Sequence, residues 1–306
     1  MLRKAELRVL AELHEPATIT DLADRINRSA NYVSEVVSDL EEKGLVRKER
    51  LGRAKQVASI ESKAIELYHD IAQQYGHIDP PALLSGPTVS LLYYLNEPIT
   101  VAELAERTDN YRNTVNRRIK QLLDRGIVRK AGSRYQLNEG FQVLHEFARE
   151  YVHHVHRQRA AEAADAFTIL WEDQATFLIR TDQSVTDEAF LLTGPERFEE
   201  YGVPLFATRS RYYVYPAERV DLTPEELICH TLAIDSGSRY QSYCLLLLGA
   251  NAIDESRLRD RSEIYNVRTT VDRLLEYLNS RGESGGANLP TWAEFQDLAD
   301  EYGVAV

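Results

Sequence analysis

The sequence predicts an α+β protein: one small domain of three helices and a hairpin used twice, a long connecting helix, and a C-terminal mixed α/β domain. Three observations predict it. Two windows repeat each other without a gap, and each window turns from helical to strand periodicity at a glycine. Beyond the second window, short strand-like runs alternate with amphipathic helical segments.

The repeat comes first. "HEPATITDLADRINRSANYVSEVVSDLEEKGLVRK" (His14 to Lys48) aligns with "NEPITVAELAERTDNYRNTVNRRIKQLLDRGIVRK" (Asn96 to Lys130) at a constant offset of 82. Identities include Glu15/Glu97, Pro16/Pro98, Leu22/Leu104, Ala23/Ala105, Arg25/Arg107, Asn31/Asn113 and Val33/Val115. They continue through Leu40/Leu122, Gly44/Gly126, Val46/Val128, Arg47/Arg129 and Lys48/Lys130.

Within the first copy, Leu7, Leu10 and Leu13 fall at helical spacing and Pro16 follows. "TITDLADRI" gives a second helix with Thr18 or Thr20 as its N-cap, because a hydroxyl there satisfies an orphan backbone N–H. After the polar turn "NRSAN", a third helix carries Val33, Val36, Val37 and Leu40 and closes at Gly44. "LVRKERLGRAKQVASI" alternates around Gly52 as a two-stranded hairpin. Three helices and a hairpin make a winged helix-turn-helix. The second copy repeats it through Leu91, Leu92 and Leu95, "TVAELAERT", a basic third helix and a shorter hairpin turning at Gly132.

The third helix of each copy is the candidate reader of DNA. In the second copy Val115, Ile119, Leu122 and Leu123 share the inward face. Asn113, Asn116, Arg117 and Lys120 take the opposite face, with Arg118 on the flank and Arg112 at the start. Asn pairs bidentately with adenine, Arg with guanine, and Lys or Arg also hold phosphates. The first copy offers Asn31, Ser34, Glu35 and Ser38 at the equivalent positions, where Glu35 replaces Arg117. From Asn110 to Arg134 the net charge is +7; from Arg28 to Lys55 it is +2. The second copy is therefore the expected main reader, helped by Arg134 on its wing, and the first adds Arg50, Arg53 and Lys55. A protein-protein role for either winged helix is the competing reading.

The stretch "ANYVSEVVSDLEEKGLV" resembles the recognition helix and following strand of MarR- and ArsR-type regulators. The resemblance covers about residues 5 to 60 and 85 to 138. It implies a winged-helix fold and a DNA-binding regulator.

The chain's net charge of -12 is unevenly placed: residues 1 to 140 carry net +1 and residues 141 to 306 net -13. Arginine supplies 29 of the 36 basic residues, and scarce lysine with abundant acid resembles proteins of salt-accumulating archaea. In molar salt, counterion release adds little affinity, so specific hydrogen bonds and shape must carry more of the binding. The sequence shows neither a membrane-length apolar run nor a signal-peptide core in "MLRKAELRVL", so a cytoplasmic protein is expected. Cys229 and Cys244 sit in no CxxC pair and read as small buried hydrophobes.

Between the repeats, "ESKAIELYHDIAQQYG" reads as a helix that "HIDPP" breaks. After the second wing, Phe141, Leu144, Ala148, Tyr151 and Val155 step by three and four along one long helix. Regulators of this shape commonly dimerise through such a seam, so a homodimer contact is expected there, with packing on the chain's own winged helix as the alternative. "HHVH" places His153 and His156 one turn apart, but no Cys or carboxylate completes a metal set, and solvated imidazoles are expected.

In the C-terminal part, "FTILWE", "ATFLIRT", "EAFLLTG", "VPLFAT" and "SRYYVYP" have strand character. "PERFEEYG" reads as a short helix, and "TPEELICHTLAI" as a helix capped by Thr223. "YCLLLLGA" fits a buried strand or helix equally. A charged helix pair over about Glu255 to Ser280, a link "RGESGGANLP" and the helix "TWAEFQDLADEYG" complete the chain. Phe206 and Tyr212 to Tyr215 are candidates to line a ligand pocket. "LLTGPERFEEYGV…YYVYP…LTPEELICHTLAI" resembles the C-terminal domain of AbiEi-type antitoxin regulators, which implies an autorepressing DNA-binding factor.

No GxSxG elbow, Walker loop, dinucleotide fingerprint or HExxH is present, so neither an enzyme nor a cofactor is expected. His230 beside Cys229 and Glu225/Glu226 sits on one amphipathic helix, where core and solvent faces account for it. The expected domains are 1–62 and 85–140 (the winged helices), 63–84 (linker helix), 141–166 (connecting helix) and 167–306 (sensing or partner-binding domain). The expected function is a sequence-specific transcription regulator binding double-stranded DNA, with a small molecule or protein at the C-terminal domain. An antitoxin-like or mobile-element accessory factor and a protein-assembly adaptor are the alternatives.

Overall fold

Two capping boxes and two left-handed turns place the helices of the repeat. In the computed structural model, which describes residues 1–51, 54–205, 209–217, 221–284 and 289–305, they recur at the repeat offset. Thr18 Oγ1 accepts from Asp21 N at 3.1 Å while the Asp21 carboxylate accepts from Thr18 N at 3.1 Å. Thr100 and Glu103 make the same box at 3.2 and 2.7 Å. Asn27 and Asp109 adopt φ of 53° and 49°, and Gly44 and Gly126 φ of 61° and 67°. The repetition thus extends from residue identity to backbone conformation.

The chain divides into two units, residues 1–158 and 159–306. The first unit opens with α1 (Lys4–Ala11), α2 (Ile19–Ile26) and α3 (Ala30–Glu42), then the hairpin β1 (Val46–Leu51) and β2 (Ala54–Ser59). Next come α4 (Lys63–Gln74), started by Ser62 Oγ, and the short α5 (Pro80–Leu83). The second copy is α6 (Thr88–Tyr94), β3 (Ile99–Thr100), α7 (Val101–Arg107), α8 (Arg112–Asp124), β4 (Val128–Ala131) and β5 (Arg134–Leu137). β3 is an addition to the two-stranded wing the sequence predicts: the sheet order is β3-β5-β4. In the first copy a single bridge, Ala17 to Val57, holds the same place. Two residues ahead of a helix are too short a run for strand periodicity to register.

α9 (Gln142–Ala163) follows. Leu144, Phe147, Ala148 and Tyr151 lie in one hydrophobic core that also contains Leu7, Val37, Tyr68, Leu92 and Leu122. Both winged helices, α4 and α9 therefore share a single interior. His145 Nδ1 meets Leu92 O at 3.1 Å and His154 Nε2 meets Lys43 O at 2.9 Å, one contact with each copy. Tyr68 of α4 donates to Leu7 O at 2.6 Å and its ring lies 5.7 Å from that of Phe147.

This packing corrects the expected dimer seam. Leu144 and Ala148 are fully buried and Tyr151 nearly so, inside the chain's own core, with Phe141 packed against it; only Val155 is exposed. A stepped apolar seam looks the same whether it faces a partner or the same chain. The imidazoles are corrected as well: His156 is buried and His153 half-buried rather than solvated, and desolvation holds the buried His154 between them below its ordinary pKa.

The second unit holds an antiparallel sheet of β6 (Thr168–Glu172), β7 (Phe177–Thr181), β8 (Leu191–Thr193) and β9 (Arg211–Tyr215), in the order β6-β7-β9-β8. The expected short helix is a 3-10 helix, Gly194–Tyr201. α10 (Pro224–Ile234), α11 (Ser238–Ala250), α12 (Glu255–Ile264), α13 (Arg268–Asn279) and α14 (Trp292–Glu301) complete it. "YCLLLLGA" is helical, within α11. Residues 203–205 of "VPLFAT" form no strand, and the rest of that run, with Phe206, lies outside the described residues.

α10 departs from the amphipathic helix expected, because Glu225 through Leu232 are all buried. His230 sits at its centre, 1% exposed, with Nδ1 2.7 Å from Thr193 Oγ1 and Nε2 2.7 Å from the Tyr265 hydroxyl. Burial, helped by the Arg261 charge, pushes its pKa down to about 3.

Leu144→Ala is expected to cost about 2–5 kcal/mol of stability and to leave the oligomeric state unchanged, as read by denaturation and light scattering. A collapse to smaller species without destabilisation would restore the dimer seam. Because the folded unit keeps His230 neutral while the unfolded chain protonates near about pH 6.5, the stability that His230 contributes is fully present above that pH and is lost towards pH 3. The loss attributable to His230 is about 2 kcal/mol at pH 5. Both tryptophans, Trp171 and Trp292, lie in this unit, so their fluorescence in denaturant series reads it directly. His230→Gln should flatten the slope between pH 6.5 and 5; an unchanged slope would remove His230 as its source.

Candidate nucleic-acid interface

α8 is seated by Val115, Ile119 and Leu122, which are at most 2% exposed. With that face fixed, 100° per residue turns Asn113, Asn116, Arg117 and Lys120 outward, and these four, together with Arg112 at the first position of the helix, are exposed. Among the described residues none of them has a hydrogen bond or ion pair within the chain. The face therefore presents two amides, two guanidinium groups and an ammonium with their bonding capacity unused.

At the head of the helix sits Tyr111, 87% exposed, as the N-cap residue with no side-chain cap bond. In the first copy Ser29 fills that position and its hydroxyl accepts from Tyr32 N at 3.3 Å. The first N–H groups of α8 consequently lack the side-chain acceptor that α3 has, and a helix N-terminus in that state favours an anion. Sequence reasoning passed over Tyr111; an aromatic residue where the repeat partner has a capping serine was the available signal.

Two of the expected contacts are engaged within the chain. Arg118 is half-buried, donates to Gln121 Oε1 at 3.2 Å, and has its Nε buried without a partner. Desolvation and the neighbouring Arg117 charge pull its pKa below the ordinary value. Arg134 is exposed, yet its Nη1 donates to Pro98 O at 2.8 Å and lies 3.5 Å from Glu103 Oε2. It braces β5 against the start of α7. Both corrections have one cause: a helical wheel or a wing position gives a direction, and a long side chain then follows the nearest acceptor.

The first copy is chemically different. On α3, Asn31, Ser34 and Glu35 are exposed. Ser38 donates to Ser34 O at 3.0 Å and accepts from Lys48 Nζ at 3.2 Å, and Lys48 also pairs with Glu41 at 2.7 Å. Lys43 is taken up by the buried Glu6 at 2.6 Å, and Arg47 by Glu49. Arg50 and Lys55 stand opposite each other across the hairpin, both exposed. Arg53, also expected to touch DNA, and Gly52 lie outside the described residues.

Elsewhere no group of three His, Cys, Asp or Glu is placed to hold a metal among the described residues. No helix among them is long and apolar enough to cross a membrane. The aromatic strand β9 serves mostly as sheet core: Tyr213 is buried and its hydroxyl accepts from Val185 N at 3.2 Å, and the Tyr212 hydroxyl meets that of Tyr240 at 3.0 Å. Tyr215 reaches a cleft of about 240 Å³, lined also by Glu188, Ala189, Leu191 and Pro216, and Val214 lines a second one.

Residues 91–129, which carry α8, match a family model described as winged helix-turn-helix DNA-binding. Residues 2–66 match a family described as HVO_A0114, and residues 187–304 match one described as HVO_2833_C, C-terminal. No curated protein matches the chain. The chain thus carries a winged helix of the DNA-binding kind, within an α+β fold. The three matches together are consistent with a winged-helix regulator of haloarchaeal type.

Arg117→Ala is expected to weaken DNA binding at fixed salt by about tenfold, which corresponds to roughly 1.4 kcal/mol. Arg134→Ala and Arg118→Met should change it by less than about twofold, since those guanidinium groups are engaged or buried. Equal losses in all three variants, by fluorescence anisotropy, would return Arg118 and Arg134 to the interface.

Proposed function

We propose that this chain is a sequence-specific transcription regulator that reads double-stranded DNA chiefly through α8. The observation that carries the proposal is the exposed, unengaged set Asn113, Asn116, Arg117 and Lys120 on a helix seated by its opposite face. Amide and guanidinium groups at this spacing suit adenine and guanine edges in a major groove, while Arg112 and Lys120 suit the flanking phosphates. The first winged helix, with Asn31, Ser34, Arg50 and Lys55 open and most other bases paired, contributes secondary contacts. The second unit, which carries most of the chain's acid, is left for a small molecule or a protein partner.

Genomic fragments retained by the purified protein, sequenced in parallel at low and molar potassium chloride, test the reading. Discrete peaks that share a motif and survive high salt are expected. Arg117→Glu with Lys120→Glu should abolish that retention and, where residual binding persists, lower the salt slope by about two. Diffuse retention that vanishes with salt would reduce α8 to a nonspecific phosphate contact. No retention at either salt, or none of it sensitive to the double reversal, would favour the assembly-adaptor alternative.

A further inference from the structure

The second unit contains a cleft of about 210 Å³ whose floor is His230 with Tyr265 and whose walls include Val214, Pro216 and Leu222. Its volume lies below the roughly 300 Å³ at which drug-sized ligand sites begin, which favours a small ligand. Among the described residues two charged groups line it, Glu226 and Arg261.

These two charges face each other without satisfying each other. Arg261 Nη2 lies 3.6 Å from Glu226 Oε1, beyond the 2.7–3.2 Å range of a hydrogen bond. Glu226 is 6% exposed, and its other oxygen accepts from Thr223 N at 3.1 Å at the start of α10. Its Oε1 therefore faces the cleft with no hydrogen bond, and so does the Arg261 guanidinium, among the described residues. A buried carboxylate oxygen in that state retains most of its capacity to bind a donor. Glu225, the neighbouring acid, is already engaged, accepting from Asp254 N at 3.1 Å.

The rest of the lining is neutral. His230 is uncharged, bonded through both ring nitrogens, and fixes the Tyr265 hydroxyl at 2.7 Å. The Tyr265 ring is braced by Trp171 at a centroid distance of 4.4 Å. A plain anion entering the cleft meets Glu226, and a plain cation meets Arg261. A ligand that carries both charges satisfies both walls, with its apolar part against Val214, Pro216 and Leu222.

From this geometry we infer that the cleft binds a small zwitterion of the α-amino-acid class. The ligand's carboxylate is held by the Arg261 fork and its ammonium by Glu226. The inference deepens the small-molecule role proposed for this unit and rests on it; its chemistry does not depend on DNA.

Isothermal titration of the full chain, without DNA, tests it. The probes are the common L-amino acids and, for any that binds, the matching amine without the carboxylate and the matching acid without the amine. At least one amino acid should bind, and each half-analogue should bind at least about tenfold more weakly. Glu226→Gln keeps an oxygen for the Thr223 N–H while removing the charge, and Arg261→Gln removes the fork. Each should weaken binding at least about tenfold with the circular dichroism of the parent. The inference is overturned if no amino acid binds, if a half-analogue binds as well as the whole, or if both folded variants bind as the parent does. DNA retention by the same preparations is scored separately. Retention intact with no amino-acid binding would sink this inference and leave the regulator standing; the reverse would sink the regulator and leave the site.

Discussion

The first unit depends on one shared interior. A winged helix of some sixty residues buries little surface alone, and small domains are marginal for that reason. Here the two copies, α4 and α9 close around a single core, so neither copy has to be stable by itself. The histidines of α9 add a backbone contact to each copy, at Leu92 and at Lys43. The two candidate reading helices are thereby held in one body. Strain introduced in one copy reaches the other through packed side chains rather than through a linker.

On that common frame the surface chemistry of the copies has separated. The first copy has four of its bases tied up internally: Lys43 on Glu6, Lys48 on Glu41, Arg47 on Glu49 and Arg3 on Asp39. The second leaves five polar groups of α8 open. The difference of five charges between the two sequence windows therefore understates the contrast, because a base already paired to a carboxylate offers little to a phosphate. Exposed pairs of this kind add little stability. The Glu6 carboxylate is another matter: it is fully buried, and its donors hold its pKa down despite desolvation. Losing Lys43 would strand that charge, so this base serves the fold rather than a ligand.

How much of this was legible in the sequence varied with the kind of statement. The repeat, the capping threonines, the glycine stops and the inward faces of α3 and α8 are set by local chemistry over three or four residues, and reading those residues placed them. What escaped was set by distant parts of the chain. The seam of α9 could not reveal whose side chains it met. Arg134 found its acceptor at Pro98 O, far back in the chain, whereas Arg118 was a local miss, bonded to Gln121 in its own helix. α10 read as two-faced because Glu225, Glu226 and His230 are polar, yet all three are buried, and Glu225 and His230 are bonded to other elements: Asp254 N, and Thr193 with Tyr265. Polarity in a sequence marks a need for a partner, and water is only one of the partners available. β3 was too short to signal itself, and Tyr111 was visible only by comparison with Ser29.

The two cysteines, described above as buried hydrophobes, have a consequence for reactivity. Cys229 and Cys244 are fully enclosed in the second unit, and burial pushes the Cys229 thiol up to about 12. The nucleophilic thiolate is scarce there and a reagent cannot reach it. The first unit contains no cysteine at all. Thiol modification of this chain is therefore a clock for the opening of the second unit only.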